Sequence, residues 1–159
     1  MTITGDILES YRRPRVVIAR KLAAGPREDR ALAVLMAACG LMFVGQWPGL
    51  ARAAHLDPAI PLDARIGGAL LGTVFLLPPL AYALAGVSHL LARGLGGKGS
   101  HFGARLALFW SLLAISPLML LQGLIGGFIG SGPGFTVLGL GVLAAFLYLW
   151  INGLIEVER

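Results

Sequence analysis

Four long apolar stretches run through the sequence, and short polar breaks separate them. They cover about residues 31–50, 64–92, 104–129 and 135–155. A transmembrane α-helix needs about 20 mainly apolar residues to cross a hydrocarbon core of ~30 Å, and each stretch meets that length. The pattern therefore predicts an all-α, polytopic membrane helix bundle with four transmembrane helices.

The stretch 64–92 is expected to be the central helix of the bundle, because it is long, apolar and rich in signals for helix contact. Pro78 and Pro79 remove two backbone donors near its middle and should kink it, so neighbouring helices must cover the freed carbonyl groups. Gly68 and Gly72 form a small-xxx-small pair, which lets two helix backbones approach closely. We expect these prolines and glycines to be packing residues.

The last two stretches are predicted to form a hairpin. The stretch 104–129 contains Gly123 and Gly127, a second small-xxx-small pair and a predicted helix contact. The break at 130–134 reads GSGPG and carries no charge, which is typical of a tight turn. We therefore expect residues 31–159 to form one transmembrane domain.

Residues 1–30 form a separate basic segment, predicted to lie on the cytoplasmic or interfacial side. Two short helices are expected at about 6–13 and 14–24, because Pro14 suits a first helical turn and Pro26 follows a glycine in a stop signal. The segment is too rich in mixed charges to be read as a cleaved signal peptide.

The second short helix can lie on an anionic leaflet with Val17 and Ile18 buried, or the segment can be a solvated basic arm. Juxtamembrane cations attract anionic phospholipids. The residues predicted to meet lipid headgroups are Arg12, Arg13, Arg15, Arg20, Lys21, Arg93 and Lys98.

The positive charges indicate the orientation of the spans. Four spans put the N-terminal segment, the middle loop and the C-terminus on one side, together with eleven of the 13 Lys and Arg residues. Only Arg52 and Arg65 lie on the other side. Because cytoplasmic loops carry an excess of Lys and Arg, we expect both termini to be cytoplasmic in a bacterial inner membrane.

Composition excludes a soluble protein, since 57% of the residues are hydrophobic and 13% are charged. The net charge of +5 is therefore interpreted as an orientation signal and not as a nucleic-acid surface. His55, His89 and His101 do not pair at a depth that suits haem, and no cluster has metal-ligand spacing. We expect no enzyme, cofactor, metal or catalytic residue.

Four segments together give the chain a family likeness. They are YRRPRVVIARKLAAGPREDRALAVLMAACGLMF, LDARIGGALLG, the double proline, and RLALFWSLLAISPLMLLQGL. In this whole-chain pattern the sequence resembles the bacterial branch of the Yip (Ypt-interacting protein) domain family of small polytopic membrane proteins. The family usually has five spans and a cytoplasmic N-terminus, and its eukaryotic members are associated with vesicle trafficking and small GTPases. The bacterial members have no general assigned activity, so the resemblance implies no functional residue.

Two hypotheses about function remain. The first is a non-enzymatic interaction, scaffold or accessory subunit that docks against a larger inner-membrane complex or organises lipid around it. The second is a carrier or channel for a small or lipophilic solute, with Pro78-Pro79 and Ser116-Pro117 as paired helix breaks. A polar cavity at mid-depth would favour transport, whereas a dry core with an outward apolar groove would favour docking.

Overall fold

The computed structural model describes residues 2–130 and 132–159, and within these two ranges it contains helices and no strand. Two short helices precede four long ones. The bounds are α1 Ile3–Arg12, α2 Pro14–Ala23, α3 Glu28–Leu56, α4 Leu62–Gly94, α5 His101–Phe128 and α6 Pro133–Glu158. Each of the four long helices is long and apolar enough to span a membrane. The predicted all-α membrane bundle with four spans is confirmed.

The long helices extend beyond the apolar stretches at most of their ends. Helix α3 begins at Glu28 and runs through Pro48 to Leu56. Glu28 and Asp29 lie in its first turn, where carboxylates interact favourably with the positive end of the helix dipole. The first turn of α3 therefore falls inside the segment 1–30. Hydropathy identifies the apolar part of a helix and does not detect the polar turns at its ends.

Helix α5, not α4, is the centre of the bundle. It packs against α3 along much of its length, and α6 and α4 cover its other faces. In the most apolar part of α5, 44% of the residues are buried, compared with 17% in α4. The expectation that the stretch 64–92 is central is therefore wrong. Lipid tails are as apolar as a protein core, so an apolar run does not distinguish a lipid-facing helix from a buried one.

The backbone of α4 changes geometry just before its two prolines. Residues Leu71–Leu76 are π-helical, and the N–H of Leu77 donates to the carbonyl of Gly72, five residues earlier. In a regular α-helix the ring of Pro78 or Pro79 would clash with a carbonyl four residues back. A local widening of the helix is a known response to such strain. The kink expected at the proline pair stays a prediction; the irregularity that the structure shows is this π-helical segment.

Helices α1 and α2 fold back against α5 and α6. Val17 and Ile18 of α2 are 0% and 2% exposed, and they belong to the same apolar cluster as Ala107 and Trp110 of α5 and Val157 of α6. These apolar side chains therefore contact protein, neither entering a leaflet nor standing in water. Both sequence-based descriptions of the segment missed this docking, because helix periodicity does not name the partner surface.

Candidate functional site

Titratable side chains meet at the end of the bundle that carries α1, α2 and the C-terminus, which we call the inner end. His89 of α4 is 1% exposed, and its Nδ1 atom lies 2.7 Å from Oε1 of Glu158 at the end of α6. The ring of His101, the first residue of α5, lies edge-on to the ring of His89 at 4.2 Å. The N–H of Gly99 donates to the second carboxylate oxygen at 2.9 Å. We call His89, His101 and Glu158 the inner polar cluster.

The glycine-rich loop between α4 and α5 is explained by this contact with α6. A Cβ atom at Gly97 would overlap the carboxylate of Glu158, and one at Gly99 would lie 2.5 Å from the carbonyl oxygen of Val157. At Gly103 a Cβ atom would lie 2.5 Å from the side chain of Val157. The glycines therefore let the last turn of α6 close onto the loop, so their role is packing.

The inner polar cluster joins three helices through the hydrogen bond between His89 and Glu158 and the ring contact between His89 and His101. Ser88, beside His89, donates its hydroxyl to the carbonyl of Ala85 in its own helix at 2.8 Å. Within residues 2–130 and 132–159, no group of three His, Cys, Asp or Glu side chains could hold a metal ion. The arrangement can fix the ends of α4 and α6 together. The sequence contained one signal for the contact between His89 and Glu158. An even number of spans returns Glu158 to the end of the bundle where His89 lies.

A second polar cluster attaches the N-terminal helices to α5. The buried carboxylate of Asp6 accepts hydrogen bonds from Arg20 at 2.6 Å and Lys21 at 3.1 Å. The ammonium of Lys21 lies 3.9 Å from the centre of a Trp110 ring, and the Trp110 indole donates to Ser10 at 2.8 Å. Burial opposes ionisation of Asp6, but the hydrogen bond and charge of Lys21, together with Arg20, hold the pKa of Asp6 below 3.8.

The cations predicted to meet lipid headgroups are thus of two kinds. Arg20 and Lys21 are engaged in ion pairs with α1. Arg15 is exposed and donates to the side chain of Asn152 at 3.0 Å. The other exposed members of the set are Arg12, Arg13, Arg93 and Lys98. The exposed cations lie in α1 and α2 and around the glycine-rich loop, so they are available to headgroups at the inner end.

Gly123 and Gly127 of α5 lie directly against α3. A Cβ atom at Gly123 would overlap the carbonyl of Gly45, and one at Gly127 would overlap the ring of Pro48. The backbones of α3 and α5 therefore approach more closely here than any larger side chain would allow.

Gly68 and Gly72 of α4 lie in a different environment. Both are exposed, and no atom lies within 4 Å of the Cβ position at either residue. Pro78 is half-buried, whereas Pro79 is exposed. Large apolar side chains on the same helix are also exposed, among them Leu71, Phe75, Leu76 and Leu80. We call Gly68, Gly72, Phe75, Leu76 and Pro79 the α4 face; no other part of the chain that the structure describes covers it.

Two grooves open on the surface of the bundle. The inner groove, of about 610 Å³, lies between the ends of α4 and α6. Its wall includes Trp150, whose indole N–H is the buried side-chain polar atom left without a partner among the described residues. The outer groove, of about 500 Å³, lies at the opposite end between α3, α5 and the start of α6.

Comparison with known proteins assigns no relative: no family model, no curated protein and no solved structure matches this chain. The resemblance to the Yip domain family stays a prediction from the whole-chain pattern. Function is therefore argued from the geometry of the molecule.

Proposed function

We propose that this chain is a non-enzymatic integral membrane protein that acts as an interaction, scaffold or accessory subunit. It docks against a larger membrane complex or organises lipid around that complex. The observation that carries the proposal is the α4 face, because Gly68 and Gly72 have open space at their Cβ positions while Gly123 and Gly127 are already used inside the bundle.

The proposal follows from how helices associate in lipid. No hydrophobic effect drives apolar helices together there, so association depends on close packing, and small residues let backbones approach. Helix α4 contacts α3 and α5 on one side and is mostly uncovered elsewhere. The glycine pair of α4 is therefore suited to close contact with a helix of a partner protein.

The interior of the bundle favours docking over transport. Three apolar clusters fill it, with Phe109, Leu108 and Leu35 among the largest fully buried side chains. Ser111 and Ser116 donate their hydroxyls to carbonyls four residues earlier in α5. These side chains fill the space between the helices of the bundle, whereas a carrier would place a polar site there.

We extend the proposal to location and orientation. The protein lies in a bacterial inner membrane with both termini cytoplasmic, because eleven of 13 cations belong to the side of the N-terminal segment, the middle loop and the C-terminus. Anionic phospholipids are its second partner, attracted to the exposed cations at the inner end.

Cysteine cross-linking in cells tests the docking proposal. Cys39 is fully buried and is replaced by Ala, and a single Cys is then introduced at Gly72 or, as a control, at Gly141. Gly141 is also exposed, with nothing near its Cβ position, but it lies on α6. A benzophenone maleimide attached to that Cys should, on irradiation, insert into a neighbouring C–H bond and join the Gly72→Cys chain to a protein of defined larger mass, and it should leave the Gly141→Cys chain unjoined. Equal cross-linking at both positions, or none at Gly72→Cys, would contradict docking through α4.

A further inference from the structure

The outer groove combines an apolar wall with one charged side chain at its end and two carboxamides along its length. Its apolar lining includes Met42, Leu56, Met119 and Phe135, and glycines such as Gly49 form part of its surface. A volume of about 500 Å³ lies within the roughly 300–1,000 Å³ typical of sites for small molecules. The groove is therefore large enough for part of an amphiphile.

Arg52 supplies the charge in this groove. Its Nη1 atom donates to the carbonyl of Phe128 at 3.3 Å and lies 3.5 Å from that of Gly127. Arg65, the other cation at this end, is paired with Asp57 at 3.5 Å. Arg52 makes no such pair with a carboxylate among the residues that the structure describes. A guanidinium has five donors in a planar fork that matches phosphate, so donors beyond those given to the two carbonyls remain for an anion.

Two carboxamides lie in the same groove. Gln46 donates its amide to the hydroxyl of Thr73 at 2.7 Å, which leaves its carbonyl oxygen as an acceptor. The amide nitrogen of Gln122 lies over Gly139, 2.8 Å from the position of a Cβ atom there. Gln122 also lines the groove. The N–H groups of its carboxamide are donors that an oxygen of a ligand can accept from.

The direction of the groove fits one lipid molecule. Arg52 and Met42 are separated by ten residues of α3, which is roughly 15 Å of helix and about half of a ~30 Å hydrocarbon core. Charge therefore lies at one end of the groove, Gln46 lies roughly 9 Å further along α3, and Met42 lies at the other end.

We infer that the outer groove binds one anionic phospholipid. Its phosphate lies at Arg52, its ester oxygens lie beside Gln122, and an acyl chain runs along Met42 and Met119. This site is at the opposite end of the bundle from the exposed cations of α1 and α2, and it does not depend on docking through α4.

The charge of the site is tested by native mass spectrometry and lipid titration of the purified full chain in detergent. Phosphatidylglycerol and phosphatidylcholine are the probes, and glycerol 1-phosphate reports on free anions. Arg52→Gln should weaken phosphatidylglycerol binding about tenfold, since a hydrogen bond to a charged group is lost with the charge itself. Arg65→Gln removes the paired cation at the same end and should leave that binding unchanged.

The apolar part of the site is tested with a variant that keeps Arg52. Gly49 has open space at its Cβ position, so Gly49→Leu should fold and fill the groove. It should abolish binding of phosphatidylglycerol, whereas Gly40→Leu, at an equally open position of α3 outside the groove, should not.

Retention of one phosphatidylglycerol per chain, weakened about tenfold in Arg52→Gln, abolished in Gly49→Leu and kept in both controls, supports the inference. Equal losses in Arg52→Gln and Arg65→Gln would overturn it in favour of diffuse surface charge. Binding of glycerol 1-phosphate as tight as that of the lipid, unchanged by Gly49→Leu, would overturn it in favour of a free-anion site. If Arg52→Gln does not fold, the comparison of Gly49→Leu with Gly40→Leu decides.

Discussion

Arginine and lysine residues of similar sequence context serve two purposes at the inner end. Arg20 and Lys21 are partnered by Asp6, which is 7% exposed, and removing them would leave a buried carboxylate without compensation. Arg12 and Arg13 are exposed. The charge count alone placed all of them in one headgroup-binding set, because sequence does not show which cations have a protein partner.

This difference predicts separable effects of two double variants. Arg12→Gln with Arg13→Gln should lower the preference of the reconstituted chain for anionic over zwitterionic lipid, at about 1 kcal/mol or less for each cation. Arg20→Gln with Lys21→Gln should mainly lower the thermal stability. The immobilised fractions of spin-labelled phosphatidylglycerol and phosphatidylcholine report the lipid preference at low salt. An unchanged preference in the first variant would remove these two arginines from the headgroup set.

Among the helices, apolar length and small residues were enough to predict four spans, but not which span is central. Helix α5 is central because Gly123 and Gly127 meet α3, while buried Phe109 and Trp110 belong to clusters that include residues of other helices. Helix α4 has a glycine pair with the same spacing, and no described residue of another helix lies within 4 Å of its Cβ positions. The spacing of small residues indicates that a helix face can pack closely. It does not identify the helix or lipid that the face contacts.

The same limit applies to the candidate site. Glu158 lies 69 residues from His89 in sequence, and no local motif joins them. Arg52 was predicted only as one of two cations on its side, and its place in a groove depends on how α3 crosses α5. Such pairings arise from the packing of helices that are distant in sequence. Hydropathy and charge could therefore predict at which end of the bundle a residue lies, but not which residue it contacts.

For the whole molecule, the four spans fix where the termini lie relative to each other, and the charge bias predicts which side is cytoplasmic. A reporter enzyme that is active only outside the cytoplasm should therefore be inactive when fused after Arg159. The same reporter inserted in the α3–α4 connection, after Pro58, should be active. Activity of the Arg159 fusion in a chain with intact spans would contradict the both-ends-cytoplasmic orientation.

If the bundle needs no contact at the α4 face, larger side chains at Gly68 and Gly72 should leave its stability unchanged. If a partner covers that face, the same side chains should prevent the partner from binding. The measurement compares two double variants. The first carries Gly68→Ile and Gly72→Ile, and the control carries Gly134→Ile and Gly141→Ile. Both control positions are exposed and open on α6. Thermal unfolding and co-purification from native lipid are followed in parallel.

The double variant at Gly68 and Gly72 should insert and keep its Tm within about 2 °C of the wild type, since among the described residues no other helix lies within 4 Å of either Cβ position. It should lose the protein that cross-links to Gly72→Cys, while the control at Gly134 and Gly141 keeps it. If the double variant retains both its Tm and that partner, the α4 face contacts lipid and the proposed docking is wrong.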